Sequence, residues 1–178
     1  MNKKSTVKEL YNRSAKFYDQ RYYKIQFNKF DELLKPLSNN DVIIDLGSGT
    51  SLLLLYEKIK NVRYVGIDIS SEMIKQGRKK EKKFKEFIIS DVENIPLRSD
   101  FAHTITVFTV LQNLESYFNI FKEIKRISIK KSIIYLSVLR KKINWNSLNN
   151  ILLESSLEII EKLDKKESED IGLILINN

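Results

Sequence analysis

Three carboxylates and a pair of glycines are the residues in this sequence best placed to do chemistry. Asp45 follows the apolar run Val42-Ile43-Ile44 and is itself followed by Leu46-Gly47-Ser48-Gly49-Thr50-Ser51. Glycines are needed where a backbone turns sharply and lets a ligand come to contact distance, because no Cβ blocks either. An acidic residue beside such a turn suits a ligand with positive charge, whereas a phosphate loop calls for Lys. Asp68 closes a second apolar run, Val65-Gly66-Ile67, about twenty residues after the turn, where a carboxylate can accept both hydroxyls of a ribose. Asp91 closes a third run, Ile88-Ile89-Ser90, and a carboxylate there can accept from the exocyclic amine of a purine. The set points to a small nucleotide-like ligand held at the glycine turn.

What is missing narrows the choice. A dinucleotide loop of the form Gly-x-Gly-x-x-Gly would have a third glycine where Leu52 stands, and no Gly-Lys-Ser/Thr marks a phosphate loop. Cys is absent and His103 is the only His, which removes disulfides, thiolate chemistry and His-pair zinc sites, and a metal centre is not expected. The chain has 178 residues, 42% hydrophobic and 30% charged, as a single globular domain would. Its net charge of +8 suggests an anionic partner, nucleic acid being the commonest, although Lys, Ile and Asn are abundant throughout. The N-terminus shows no apolar leader, and no apolar run approaches the ~20 residues of a membrane span. A soluble, cytoplasmic protein is expected.

These residues need elements to hold them. Short β-branched runs at Val42–Leu46, Tyr64–Asp68, Glu86–Ser90, His103–Val110 and Ser132–Leu139 read as strands, separated by helical stretches at Leu52–Lys60, Ser71–Lys80 and Ser116–Ile127. Ser70 is placed to cap the second of these helices, with Glu72 favourable in its first turn. The alternation implies right-handed crossovers and a mostly parallel sheet with helices on both faces. Leu157–Asp164 and Asp170–Asn177 are strand-like and joined by only five polar residues, which a parallel pair cannot be, so they form an antiparallel hairpin. Ahead of the sheet, residues 6 to 35 carry apolar positions at helical spacing and read as two helices, broken near Arg21 to Lys24 and ended by Pro36 and Asn39-Asn40.

The chain resembles a class I S-adenosylmethionine-dependent methyltransferase, of the small single-domain kind grouped as methyltransferase type 11. The matching pieces are Asp45-Leu46-Gly47-Ser48-Gly49-Thr50, Val65-Gly66-Ile67-Asp68-Ile69-Ser70 with Met73-Ile74, and Ser90-Asp91-Val92-Glu93-Asn94-Ile95-Pro96-Leu97. Ser99-Asp100-Phe101, the strand to Val110 with Leu111-Gln112-Asn113-Leu114, and the tyrosine-bearing stretch Tyr11 to Asp19 also match. The resemblance implies a Rossmann-like α/β fold with a seven-stranded sheet, residues 1–40 forming a helical cap on a core of residues 41–178 within one domain. It implies S-adenosylmethionine as cofactor, with Gly47, Ser48 and Gly49 in the turn beside its methionine part and Asp45 near its amino group. Asp68 would take the ribose, Ile69 and Met73 flank the adenine, and Asp91 with the Val92 amide read the adenine edge. The Phe108 backbone would face the amino group, and Tyr11 or Tyr18 close over the carboxylate. The family often has Gly where this chain has Ser51, a residue expected to sit easily at a helix start.

Methyl transfer from a sulfonium needs positioning more than a base, so the lack of an obvious base is no obstacle. Tyr18, Gln112 and Asn113 are the candidates near the transferred methyl. The Asn/Asp-Pro-Pro-Tyr element of amino-methylating enzymes is replaced by Phe108-Thr109-Val110-Leu111, and His103 starts its strand away from the site. RNA, tRNA above all, is the expected acceptor: no inserted cap is present, and Arg21, Lys24, Arg140, Lys141 and Lys142 would make a basic mouth, with Tyr22, Tyr23 or Trp145 able to stack a base. The run Lys75 to Lys85 is expected on a solvated face at the opposite end of the sheet, and the acidic stretch Glu161 to Asp170 away from any RNA. A small metabolite or quinone-type acceptor, a protein acceptor, and a partner-dependent or inactive cofactor-binding subunit are the alternatives.

Overall fold

A computed structural model describes residues 2–38, 41–59, 61–80 and 83–178. Seven strands form one sheet in the order β3-β2-β1-β4-β5-β7-β6. They are β1 (Val42–Leu46), β2 (Arg63–Asp68), β3 (Lys85–Ile89), β4 (Ala102–Phe108), β5 (Ser128–Leu139), β6 (Leu157–Leu163) and β7 (Asp170–Asn177). β1 is buried at all five positions, as a strand apolar on both faces must be when both are covered. It runs parallel to β2 on one side and β4 on the other, with Asp45 level with Gly66 and Thr106. β7 runs antiparallel between β5 and β6, so the expected terminal hairpin is present. One core packs α3 (Phe118–Ile127) and α4 (Trp145–Ser155) on one face; the other face carries the C-terminal half of α1 (Lys3–Leu33) and the turns after β1.

Several elements depart from the sequence expectation. The two helices read before residue 35 are one continuous α1 of 31 residues, capped by Asn2, whose side chain accepts from the Ser5 amide. No Gly or Pro interrupts it, and the helix changes what it covers along its length: an open cleft beside Tyr11 and Tyr18, then an apolar core at Phe30 and Leu33. That change of environment mimics a break in the apolar spacing. Asn39 and Asn40, the expected punctuation, lie outside the described residues. The helix expected from Leu52 is instead two 3-10 turns, Leu52–Leu55 and Glu57–Ile59, and Lys60 lies outside the described residues. Ser51 enters the first turn at φ 57° instead of in the extended conformation usual for a helix N-cap, and Tyr56 is extended between the two turns. α2 (Ser71–Gly77) is capped as expected, Ser70 Oγ accepting from the Met73 amide at 3.1 Å, but it ends three residues early.

α4 has no counterpart in the sequence reading. Its signal was there: Asn144 accepts from the Ser147 amide at 3.0 Å as a cap, and Leu148 and Leu152 lie buried one turn apart. β5 begins four residues before the expected Ser132, where Lys131 at φ 69° shifts the register against β4.

Candidate active site

The strand order reverses between β1 and β4, and in open α/β sheets the crevice beyond the strand ends at such a point is where ligands bind. The glycine turn is anchored there by the Gly47 and Ser48 amides, which donate to Ile67 O at 2.8 and 3.0 Å. Gly47 has φ +67°, and a Cβ on it would sit 2.4 Å from Val110 Cγ2, so only glycine fits. The Gly49 amide donates to Asp68 Oδ2 at 2.8 Å, and the Ser70 amide to Asp68 Oδ1 at 2.8 Å. Burial raises the Asp68 pKa, and these amides oppose the shift by favouring the charged form.

A cleft opens beside this turn under the N-terminal half of α1. Of the residues expected to hold the cofactor, Tyr11, Tyr18, Gly47, Gly49, Asp68, Ile69, Asp91, Val92 and Phe108 line it, as does Asn113. Asp45 and Ser48 line a small adjoining cavity that shares Tyr18, Gly47 and Phe108 with the first. Met73 is fully buried in α2 and lines neither, and Gln112 is turned back to donate to Thr109 O. Asp45 is buried and accepts from Tyr64 Oη and Thr106 Oγ1, both at 2.7 Å. Burial dominates even so and pushes its pKa up to about 6. Burial also raises the Tyr18 hydroxyl well above its ordinary value.

α1 closes the cleft through polar contacts. Lys4 Nζ reaches Asp91 Oδ2 at 2.6 Å and Glu93 Oε2 at 2.5 Å, and Lys3 donates to Leu114 O. Asn12 Oδ1 accepts from Ser70 Oγ at 2.6 Å, and Asn113 donates to Tyr11 Oη at 3.2 Å. Further along, Asp19 accepts from Thr50 Oγ1 and from Lys80, which also donates to Thr50 O. Lys80 thus corrects the expectation for its basic run: it holds α1 beside the glycine turn instead of lying solvated at the far end. Within the same run, Lys75 and Lys79 are exposed, and Lys82 lies outside the described residues.

The basic mouth is also altered. Arg140 folds onto the β6–β7 hairpin, pairing with Asp164 and donating to Lys165 O at 2.6 Å, so the acidic stretch expected to lie elsewhere neutralises it. Trp145 lies at the start of α4 with the Lys162 ammonium 4.5 Å above its ring. Arg21, Lys24, Lys141 and Lys142 are exposed. His103 is structural, its Nδ1 accepting from the Val42 amide at 3.2 Å at the opposite end of the sheet. Lys4, Val7, Thr109, Val110 and Leu114 line the cleft without having been singled out. Among the described residues, no group of three or more His, Cys, Asp or Glu could hold a metal, and no helix is long and apolar enough to cross a membrane.

Residues 37–171 match the model of a methyltransferase domain family, and the chain belongs to that family. It is 41% identical over 93 residues to the carboxy-S-adenosyl-L-methionine synthase of Nautilia profundicola, covering 49% of this chain and 38% of that protein. It is 25% identical over 130 residues to the malonyl-[acyl-carrier protein] O-methyltransferase of a Marinomonas species, covering 70% and 48% respectively. The chain therefore spans less than half the length of either relative. A chain from the complex of the Haloferax volcanii Trm112 methyltransferase activator with a methyltransferase shares the fold, with a TM-score of 0.76 at 15% identity over 94% of this chain and 97% of that one. The fold is the Rossmann-like class I methyltransferase fold, and S-adenosylmethionine is the cofactor of the family.

Proposed function

We propose that this chain binds S-adenosylmethionine in the cleft beneath α1 and transfers its methyl group to a small acceptor enclosed by the same helix. The observation that carries the reading is the roof: α1 lies across the crevice and closes it with Tyr11 and Tyr18, in keeping with enzymes that enclose small acceptors to exclude water. Residues 1–40 are on this reading the cap, and 41–178 the cofactor-binding core.

The residues fit the cofactor. The oxygens of Asp68 accept from the Gly49 and Ser70 amides, which fixes the carboxylate at the cleft where a pair of ribose hydroxyls would donate to it. Asp45 is a buried carboxylate whose raised pKa a nearby ammonium would bring down. Ser48 Oγ is buried without a hydrogen bond of standard geometry beside the cavity that Asp45 also lines. We assign Ile69 to an adenine face, and Asp91 with the Val92 amide to its edge; Met73, buried beneath and lining neither cavity, is left out of the contact. The Phe108 backbone and Asp45 take the amino group, and Tyr11 or Tyr18 the carboxylate.

When bound, the cofactor supplies a methyl group already activated on a sulfonium. The protein's contribution is to align the acceptor with it and keep water out, which is worth on the order of 7–11 kcal/mol in well-oriented cases. Tyr18 and Asn113, which line the cleft, are on this reading the acceptor-orienting groups, whereas Gln112 is turned away from it. Tyr18 keeps its proton at neutral pH, so it acts as a hydrogen-bond donor and not as a base. A chain without Cys that uses a metabolic cofactor suits a cytoplasmic setting.

The exposed Arg21, Lys24, Lys141 and Lys142 favour a second reading, in which the acceptor is RNA. Incubation with methyl-labelled cofactor and the small-molecule, RNA and protein fractions of a lysate separates the two by where the label goes. A partner-dependent subunit would label nothing until its partner protein is added. Calorimetry with S-adenosylhomocysteine tests the site first. Asp68→Ala is expected to weaken binding by about tenfold or more, and unchanged affinity would reject the ribose assignment.

A further inference from the structure

We propose that Lys29 is a positioning residue: it reaches from α1 to hold Thr109 in a left-handed conformation at the cofactor cleft, so the roof helix must be docked for the end of β4 to take its binding shape. The proposal rests on the cofactor reading above.

Thr109 has φ +60°, and among the described non-glycine residues with positive φ it is the one with a β-branched side chain. That conformation is a genuine outlier for such a residue and persists only where its surroundings over-determine it. Five contacts do so. Its amide donates to Ser137 O at 2.9 Å and lies 3.1 Å from Ser137 Oγ, while its carbonyl accepts from Gln112 Nε2. Its hydroxyl accepts from Lys29 Nζ at 2.6 Å and lies 3.3 Å from Ser137 Oγ. The turn at Thr109 directs the next residue, Val110, against Gly47, where the space left by the missing Cβ is already filled. The shape of the glycine turn and the conformation of Thr109 are therefore linked through a contact that cannot be loosened on one side alone.

Lys29 is placed for this task and not only for an ion pair. Its side chain is 11% exposed, and it pairs with Asp170, itself 10% exposed, at the start of β7. Its ammonium bridges Asp170 Oδ2 and Thr109 Oγ1, so one group makes both the ion pair and the Thr109 contact.

A double-mutant cycle read by S-adenosylhomocysteine calorimetry and thermal unfolding tests the assignment. Lys29→Met is expected to weaken binding about tenfold and to lower Tm. In a Thr109→Gly background, where the left-handed conformation needs no support, the same change should weaken binding by less than about threefold while the loss in Tm remains. Thr109→Val removes the hydroxyl but leaves the Lys29–Asp170 pair, so it should weaken binding as much as Lys29→Met with a smaller loss in Tm, and it serves if Lys29→Met does not fold. Equal losses of affinity in both backgrounds, or unchanged affinity in Thr109→Val, overturn the proposal. Failure of the unaltered chain to bind S-adenosylhomocysteine overturns the cofactor reading itself.

Discussion

Tyr64 and Thr106 both donate to Asp45, yet burial outweighs them and leaves its pKa at about 6, above the ordinary 3.8. Between those values the folded state keeps a proton that the unfolded chain has released. Stability should therefore fall as pH rises through that window, by on the order of 3 kcal/mol, and Asp45→Asn should flatten the profile in urea unfolding. An ammonium beside Asp45 favours its charged form, so cofactor affinity should rise from pH 5 to pH 7 in calorimetry; a flat profile would separate Asp45 from the amino group. Ser51 is a second residue that the fold uses against type. The resemblance implied that Gly is frequent there, and the left-handed φ shows the physical reason, with its Oγ buried without a hydrogen bond of standard geometry and 3.0 Å from where a Cβ on Gly77 would be. Ser51→Gly should stabilise by about 1 kcal/mol, a Tm rise of about 2–4 °C. Neither Ser51 nor Thr109 was legible as left-handed, because nothing in a Ser or a β-branched Thr signals it, whereas Gly47 and Gly49 announced theirs.

At the scale of elements, the sheet was legible, and the roof was legible as a helical cap but not as a single helix. Strands β1, β2 and β7 showed their positions in short β-branched runs, because a buried strand has to be apolar at nearly every position. α1 hid its continuity because its two halves answer to different surroundings. Its C-terminal half buries Phe30 and Leu33, while Ala15 is the one residue buried in its first 20. The N-terminal half is instead latched by Lys3, Lys4, Asn12 and Asp19, and Lys4 sat in a Lys-rich stretch that gave no sign of a partner in Asp91. A segment held by partly exposed polar contacts opens more easily than one held by apolar burial. Hydrogen exchange should be faster over residues 5–18 than over 27–33, and cofactor should slow the first segment selectively. Lys4→Ala should speed that exchange and raise the cofactor dissociation rate severalfold, measured by stopped flow, with Tm nearly unchanged.

The molecule as a whole is two apolar layers pinned across one sheet, and its far elements meet at Gly172. A Cβ there would lie 2.6 Å from Leu33 Cδ2, so β7 and the end of α1 touch where no side chain intervenes. Gly172→Ala should cost about 1–3 kcal/mol by overpacking, read by thermal unfolding, and weaken cofactor binding by disturbing the seat of the roof helix. β7 also has a bearing on biosynthesis. It is the last strand in the sequence, yet it lies between β5 and β6. On the ribosome the first five strands can assemble in order as they emerge, but β6 emerges with no neighbour to pair with. Until residues 170–177 are released, the nascent chain presents an open edge along β5 and a loose amphipathic strand, Leu157–Leu163. The hairpin that completes the sheet therefore sets a vulnerable interval in the life of each new chain, in which a chaperone or a protease can act before the cofactor cleft is whole.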